Sequence, residues 1–202
     1  MAKTKTANEG GLKLNYGKTI LMGFAFMASS VAWGMYNSKV PLILDKILGK
    51  HGKYPMAFGP IEIDLGYNVS VGDYFFMNHG TVMLATNKIT FGDNVLIAPH
   101  CTFSCAGHPF NVEERAAGLE YAYPITVGDN VWFGMGCQVC PGVTIGSNVV
   151  IAAGSVVCHD IPDGVIAAGN PCEVIRKMTQ KDYDRYHECE YDFKAGHMKK
   201  EL

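Results

Sequence analysis

A six-residue period runs through residues 127 to 162 and restricts the fold more than any other feature of the chain. The units are Val127-Gly-Asp-Asn-Val-Trp132, Phe133-Gly-Met-Gly-Cys-Gln138, Val139-Cys-Pro-Gly-Val-Thr144, Ile145-Gly-Ser-Asn-Val-Val150, Ile151-Ala-Ala-Gly-Ser-Val156 and Val157-Cys-His-Asp-Ile-Pro162. A large apolar residue opens each unit. A small or apolar residue (Val131, Cys137, Val143, Val149, Ser155, Ile161) stands four places later. Neither a helical period of 3.6 nor plain strand alternation gives this spacing. A period of six with Gly, Ala or Cys in second place predicts a mainly β protein, a parallel β-helix in which each hexad supplies a short strand and a corner. Three hexads then close a triangular coil, and each opening residue points inward onto its equivalent about 4.8 Å away. A sandwich of short strands would not hold this register over six units.

The period begins earlier in the chain. Leu65-Gly-Tyr-Asn-Val-Ser70, Val71-Gly-Asp-Tyr-Phe-Phe76, Met77-Asn-His-Gly-Thr-Val82 and Met83-Leu-Ala-Thr-Asn-Lys88 are four more units. After a slip of two residues come Phe91-Gly-Asp-Asn-Val-Leu96, Ile97-Ala-Pro-His-Cys-Thr102 and Phe103-Ser-Cys-Ala-Gly-His108. The register breaks from about 109 to 126 and resumes at Val127. About thirteen hexads, a little over four coils, are expected, with the break forming a loop pushed out of one face. Such loops often carry function.

A net charge of −2 over 202 residues gives no broad basic field, which argues against a nucleic-acid partner. The count of seven cysteines is odd and argues against a complete secreted disulfide framework; unpaired thiols fit a reducing, cytoplasmic compartment. Cys137 and Cys140 form a Cys-x-x-Cys, but the first falls at an inward position and the second at a corner. Packing is the expected role, and no metal is expected.

Residues 19 to 38 carry no charge and are long enough to cross a bilayer as a helix. Trp33 and Tyr36 near one end suit a membrane interface. Three readings stay open: a membrane-associating helix, a signal peptide with Ser30-Val-Ala32 as the cleavage site, and a helix buried against the prism. Over about thirty residues this region also resembles the first membrane helix of sugar transporters of the major facilitator type. Pro41, Gly49, Gly52, Pro55, Gly59 and Pro60 mark residues 39 to 60 as a connector, with a short helix at 42 to 48. Residues 180 to 190 read as a charged C-terminal helix able to cover the open end of the prism. The division is residues 1–54 for the apolar helix and connector, 55–178 for the β-helix, and 179–202 for the C-terminal helix and tail.

The interrupting loop contains Ala106-Gly-His108-Pro-Phe110 and Gly118-Leu-Glu-Tyr121. Together with Pro124-Ile-Thr-Val-Gly-Asp-Asn-Val-Trp132, Pro141-Gly-Val-Thr-Ile-Gly146, Ala153-Gly-Ser-Val-Val157 and Ala168-Gly-Asn-Pro-Cys-Glu-Val-Ile-Arg176, it resembles the maltose/galactoside O-acetyltransferase family of hexapeptide-repeat acyltransferases. The resemblance covers roughly residues 61 to 178, with separate motifs in the same order. It implies a left-handed coil, a homotrimer with sites between subunits, acetyl-CoA as cosubstrate, and a sugar or glycan hydroxyl as acceptor.

The roles that follow are implied by the resemblance. His108 is the general base of a direct transfer, a task that neutral His suits near pH 7. Asn78 hydrogen-bonds in the transition state, as donor or as acceptor; Asp64 and Glu120 lie near the acceptor sugar, and Glu120 is alternatively a partner that orients His108. Trp132, Met135, Ala153, Cys158 and His159 line the cofactor path, and Arg176 meets its 3′-phosphate. Plain alternatives exist for each: a loop His bonded to its own backbone, a corner Asn, solvated carboxylates, a packing Trp and a solvated helix Arg. The chain departs from the family pattern at His159 and Glu173, where Lys and Arg are usual, and at Ala85-Thr86, where an acidic residue is usual. The family's sugar-binding N-terminal segment is replaced by the apolar run.

Two other classes fit the prism. A zinc lyase or hydratase of the carbonic anhydrase type would need His79, His100 and His108 to converge. A prism without activity would serve as a scaffold or binding module.

Overall fold

The computed structural model describes Leu44, residues 47 to 183, and the backbone of two short strands, Tyr191–Asp192 and His197–Met198. The apolar run at 19 to 38 and most of the expected C-terminal helix lie outside the described residues. Among the described residues no helix is long and apolar enough to cross a membrane.

Short parallel strands stack into three faces. The first holds Lys50–His51, Val69–Val71, Ile89–Phe91, Ile125–Val127 and Thr144–Ile145. The second starts with Met56–Ala57, Phe76–Met77, Leu96–Ile97 and Val131–Phe133, and continues with Val149–Ile151, Val165–Ala168 and Glu173–Lys177. The third holds Glu62–Asp64, Val82–Leu84, Thr102–Ser104, Gln138–Val139 and Val156–Val157. The chain visits the faces in turn, which makes a parallel β-helix as the period of six requires.

Both inward positions of the later hexads are buried: Val127, Phe133, Val139, Ile145, Ile151 and Val157, and also Val131, Cys137, Val143, Val149, Ser155 and Ile161. Their side chains fill the prism axis, where Phe75, Phe91, Phe103 and Phe133 form a continuous chain of ring contacts with centroids 5.1 Å apart. Phe91 belongs to the first face, Phe133 to the second and Phe103 to the third, so the rings meet across the axis rather than rung on rung, in edge and tilted contact.

The recurring Gly-Asp-Asn reads directly as a corner. Asn94, Asn130 and Asn148 adopt left-handed φ of 53°, 56° and 56°, a region that short polar side chains tolerate. Their amides form a ladder, Asn94 Nδ2 donating to Asn130 Oδ1 and Asn130 Nδ2 to Asn148 Oδ1, each at 3.2 Å. The aspartates beside them accept backbone N–H bonds from the coil below: Lys53 N to Asp73, Asp73 N to Asp93, and Asp93 N to Asp129, at 2.7 to 2.8 Å. A Cβ at Gly92 would collide with the Asp129 carboxylate and the Gly128 backbone, so the glycine is needed for this approach.

The lower end differs from expectation. Lys50–His51 already pairs with Ser70 and Val71, so the first coil is built from residues read as connector. Leu65, expected inward, is 42 % exposed at a φ of 43°, and Val69 takes the core position instead. The cause is coil length. His51, Val71 and Phe91 are successive rungs twenty residues apart, whereas Val127 and Ile145 are eighteen apart. In the lower of the two longer coils a three-residue 3-10 turn at Gly66–Asn68 takes up the excess, and Asn68 Nδ2 donates to the Ala85 carbonyl at 2.8 Å. The short helix expected at 42 to 48 is present at Leu44 and Ile47, and Leu44 and Leu48 are buried at the foot of the prism. At the top, Glu173–Lys177 runs antiparallel along Val165–Ala168, and the C-terminal helix begins at Gln180–Tyr183.

Candidate active site

The break in the repeat is a hairpin. Ala106–Gly107 pairs antiparallel with Tyr121–Ala122, and the loop between them carries a helix at Val112–Ala116. Asn111 caps that helix, its Oδ1 accepting from Glu113 N and Glu114 N at 2.9 and 3.1 Å. Arg115 Nη1 donates to the carbonyls of Pro109 and Phe110, tying the helix back to the first limb. A Cβ at Gly107 would meet the outer end of the Tyr121 ring, which would have to turn aside for any larger residue. Asn87 Nδ2 anchors the second limb at the Ala122 carbonyl, 2.8 Å away.

His108 stands where the first limb leaves the neck. Its Nδ1 donates to the Leu119 carbonyl at 3.2 Å, which selects the tautomer with a bare lone pair on Nε2. Glu120 Oε1 lies 3.6 Å from that Nε2, and both side chains are more than half exposed, at 57 % and 54 % for Glu120 and His108. The hairpin thus supplies a proton acceptor on the surface with a carboxylate beside it.

Asn78 lies on a different edge, where the second face turns into the third. Its Oδ1 accepts from His79 N at 2.9 Å and from His79 Nδ1–H at 2.8 Å. The acceptor role is therefore taken by the neighbouring histidine, while Nδ2 makes no bond among the described residues. His79 in turn stacks edge-on against His100, with centroids 5.3 Å apart. The sequence reading named His79 only as a candidate zinc ligand; its adjacency to Asn78 was the signal for this second role. Met135 and Ala153 share this edge. Gly136 N bonds Pro99 O and Gly154 N bonds Met135 O, which stacks Met135 and Ala153 above Pro99 and His79. Gly136 and Gly154, at left-handed φ, leave backbone bare along the edge and would admit a ligand's amide chain close to the main chain.

The remaining residues scatter. Asp64 ends a third-face strand in register with Leu84 and Ser104, below the hairpin, and its carboxylate accepts from Ala85 N. Cys158 and His159 sit past Val156–Val157, also on the edge where the third face turns into the first. Trp132, 52 % exposed, belongs to the second face and lines a groove of about 390 Å³ with Leu96, Val150, Met178 and Tyr183. Arg176 pairs with Ile166 on that same face, and its guanidinium is held by Asp182 through two bonds of 2.7 and 2.8 Å. The fork expected to meet a phosphate is thus already filled.

Within one chain the structure brings His108 to Glu120 and Asn78 to Met135 and Ala153, but not these two groups together. The third face separates their edges by about six residues, on the order of 15 to 20 Å of strand. His79 and His100 likewise lie on the Asn78 edge rather than beside His108, and among the described residues no three ligating side chains of one chain gather.

Residues 124–159 match the family described as bacterial transferase hexapeptide (six repeats), so the prism is of the hexapeptide-repeat class. A Saccharomyces cerevisiae protein named only provisionally as an acetyltransferase is 58 % identical over 123 residues, 61 % of this chain and 63 % of its own length. The galactoside O-acetyltransferase of Escherichia coli is 46 % identical over 127 residues, 63 % of each chain. The matched stretch therefore spans less than two thirds of these two curated relatives. A galactoside acetyltransferase solved in complex with coenzyme A superimposes with a TM-score of 0.72 at 40 % identity, covering 75 % of this chain and 76 % of that one. This chain belongs to the maltose/galactoside O-acetyltransferase family of hexapeptide-repeat acyltransferases.

Proposed function

We propose that the protein moves an acetyl group from acetyl-CoA to a hydroxyl of a sugar or glycan, with His108 as general base. The observation that carries this is the His108 tautomer: Nδ1 is spent on the Leu119 carbonyl, which leaves the Nε2 lone pair to accept a proton. His108 Nε2 takes the acceptor's hydroxyl proton as the oxygen attacks the acetyl carbon; the carbon–sulfur bond then breaks, and the coenzyme A thiolate leaves and takes up that proton as the free thiol. The imidazolium so formed meets the Glu120 carboxylate 3.6 Å away. Asn78 Nδ2, the free arm of an amide whose oxygen His79 holds, donates to the oxyanion that develops on the carbonyl. Asp64 and Glu120 face the acceptor.

Because His108 and Asn78 occupy different edges, this reading requires a homotrimer of left-handed coils in which one chain's hairpin meets another's Asn78 edge. Coenzyme A then follows the bare backbone at Met135 and Ala153 toward Trp132, Cys158 and His159. The donor places the prism in the cytoplasm. A second reading, a prism with weak or no activity, is favoured by one observation: Asp182 occupies the Arg176 fork where the cofactor phosphate would bind.

The test is release of thiol from acetyl-CoA by the full chain against a panel of sugars and glycans. Release that needs both a sugar and His108 supports the transferase. Unchanged turnover in His108→Ala overturns the assigned mechanism, and no release with any acceptor favours the inactive prism.

A further inference from the structure

We infer that Cys140 and Cys158 form a reactive dithiol, a site at which a small disulfide oxidises the protein to an internal cross-link. The two cysteines are one coil apart. Gln138 and Val139 pair with Val156 and Val157, and Cys140 N donates to Val157 O at 2.9 Å, so Cys140 lies directly under Cys158. Parallel neighbours in such a ladder have Cα atoms about 4.8 Å apart, inside the roughly 4.4 to 6.8 Å that disulfides span. Neither cysteine is in a disulfide, and the Cys158 thiol rests against the Val156 carbonyl at 3.5 Å.

Access distinguishes this pair from its nearest likeness. Cys101 and Cys137 are also one coil apart, but both are fully buried, and their Sγ atoms donate to the carbonyls of Gly134 and Ala152 at 3.2 Å. A reagent reaches Cys158, which is exposed at the corner, and Cys140, which is half-buried just below it. Burial, with the Cys158 sulfur beside it, pushes the Cys140 thiol up. The exposure of Cys158 and the partial burial of Cys140 assign the order of steps. The Cys158 thiolate attacks one sulfur of the small disulfide, its S–S bond breaks, and one half leaves as a thiol. The Cys140 sulfur then attacks Cys158 in the mixed disulfide and loses its proton, and the second half leaves. The protein loses two electrons and two protons, and the reagent gains them as two thiols. The bond joins two successive coils at the edge that bears His159. Exposed disulfides of this kind are readily reduced, which suits a reversible modification.

The inference stands independently of the transfer reading. It is tested on the reduced full-length chain treated with oxidised glutathione, then alkylated, digested and mapped by mass spectrometry. The expected result is a Cys140–Cys158 cross-linked peptide that dithiothreitol reverses, with both glutathione halves released and Cys101 and Cys137 still alkylatable. Cys140→Ser is expected to stop at a glutathione adduct on Cys158. A lasting adduct on Cys158 of the unaltered chain, a cross-link from Cys158 to any other cysteine, or two unreacted thiols overturns it. If Cys140→Ser fails to fold, the map of the unaltered chain decides alone.

Discussion

Arg176 and Asp182 grip one another through both arms of the guanidinium, at 2.7 and 2.8 Å, across a turn of six residues. Asp182 also accepts from Thr179 N and Thr179 Oγ1. The Arg176 bond first, and the Thr179 bonds after it, hold the carboxyl well below the usual carboxylate range. A depressed folded-state value means that the contribution of this clasp to stability is present above the ordinary carboxyl value of about 3.9 and is lost only as pH falls further. An NMR titration is expected to show Asp182 still ionised where free aspartates are half protonated.

The clasp also makes a binding prediction. If Arg176 serves a cofactor phosphate, Asp182 competes with it, and Asp182→Ala raises coenzyme A affinity several-fold. Arg176→Ala lowers it by about tenfold or more, since charged hydrogen bonds contribute roughly 1.5 to 3 kcal/mol. Calorimetry on both variants checks this. Unchanged affinity in both removes Arg176 from the cofactor path.

Placing His108 and Asn78 on separate edges predicts complementation. His108→Ala and Asn78→Ala are each expected to lose on the order of a hundredfold or more in kcat. Co-assembled in equal amounts, they should recover about a quarter of full activity, because random mixing in a closed ring places an intact His108 beside an intact Asn78 that often. No recovery in a verified mixed assembly would mean that each site is built within one chain.

Gly107→Ala forces a methyl group into the Tyr121 ring at the hairpin neck. The change is expected to shift His108 and lower kcat about a hundredfold, as small misplacements do. The melting midpoint should move little, because the hairpin stands outside the stacked coils. Steady-state kinetics beside thermal unfolding separates the two effects.

Phe103 touches both Phe91 and Phe133 in the ring chain along the axis. Phe103→Ala is expected to cost about 3 to 5 kcal/mol. Denaturant unfolding would show it as an earlier midpoint, and a loss under about 1 kcal/mol would mean that the neighbouring coils collapse into the space.

The prism was legible because its rule is local and repeated: an apolar residue, then Gly-Asp-Asn, is both the inward register and the corner. Where the rule bends, the sequence says less. Leu65 looks like any other hexad opener, and only the twenty-residue coil turns it outward. The first coil escaped notice because polar Lys50-His51 stands where an apolar opener is usual. The hairpin could be placed by the break in register, and His108 with Glu120 within it. What no pattern carried is which atoms are already spent. The Leu119 carbonyl takes one nitrogen of His108, His79 takes the oxygen of Asn78, and Asp182 takes the fork of Arg176. Those are accidents of close approach, not of spacing.

A stack of parallel rungs has no natural length, since its last rung offers the same bonding groups as every rung below it. Copies of such a prism could add end to end into filaments. The reversal at Glu173–Lys177 prevents this on the second face: the outermost strand runs the wrong way, and all five of its residues are exposed, with Glu173, Arg176 and Lys177 bringing charge to the rim. An incoming rung would meet opposed polarity and fixed charges, so the strand that ends the fold also keeps it from becoming a fibre.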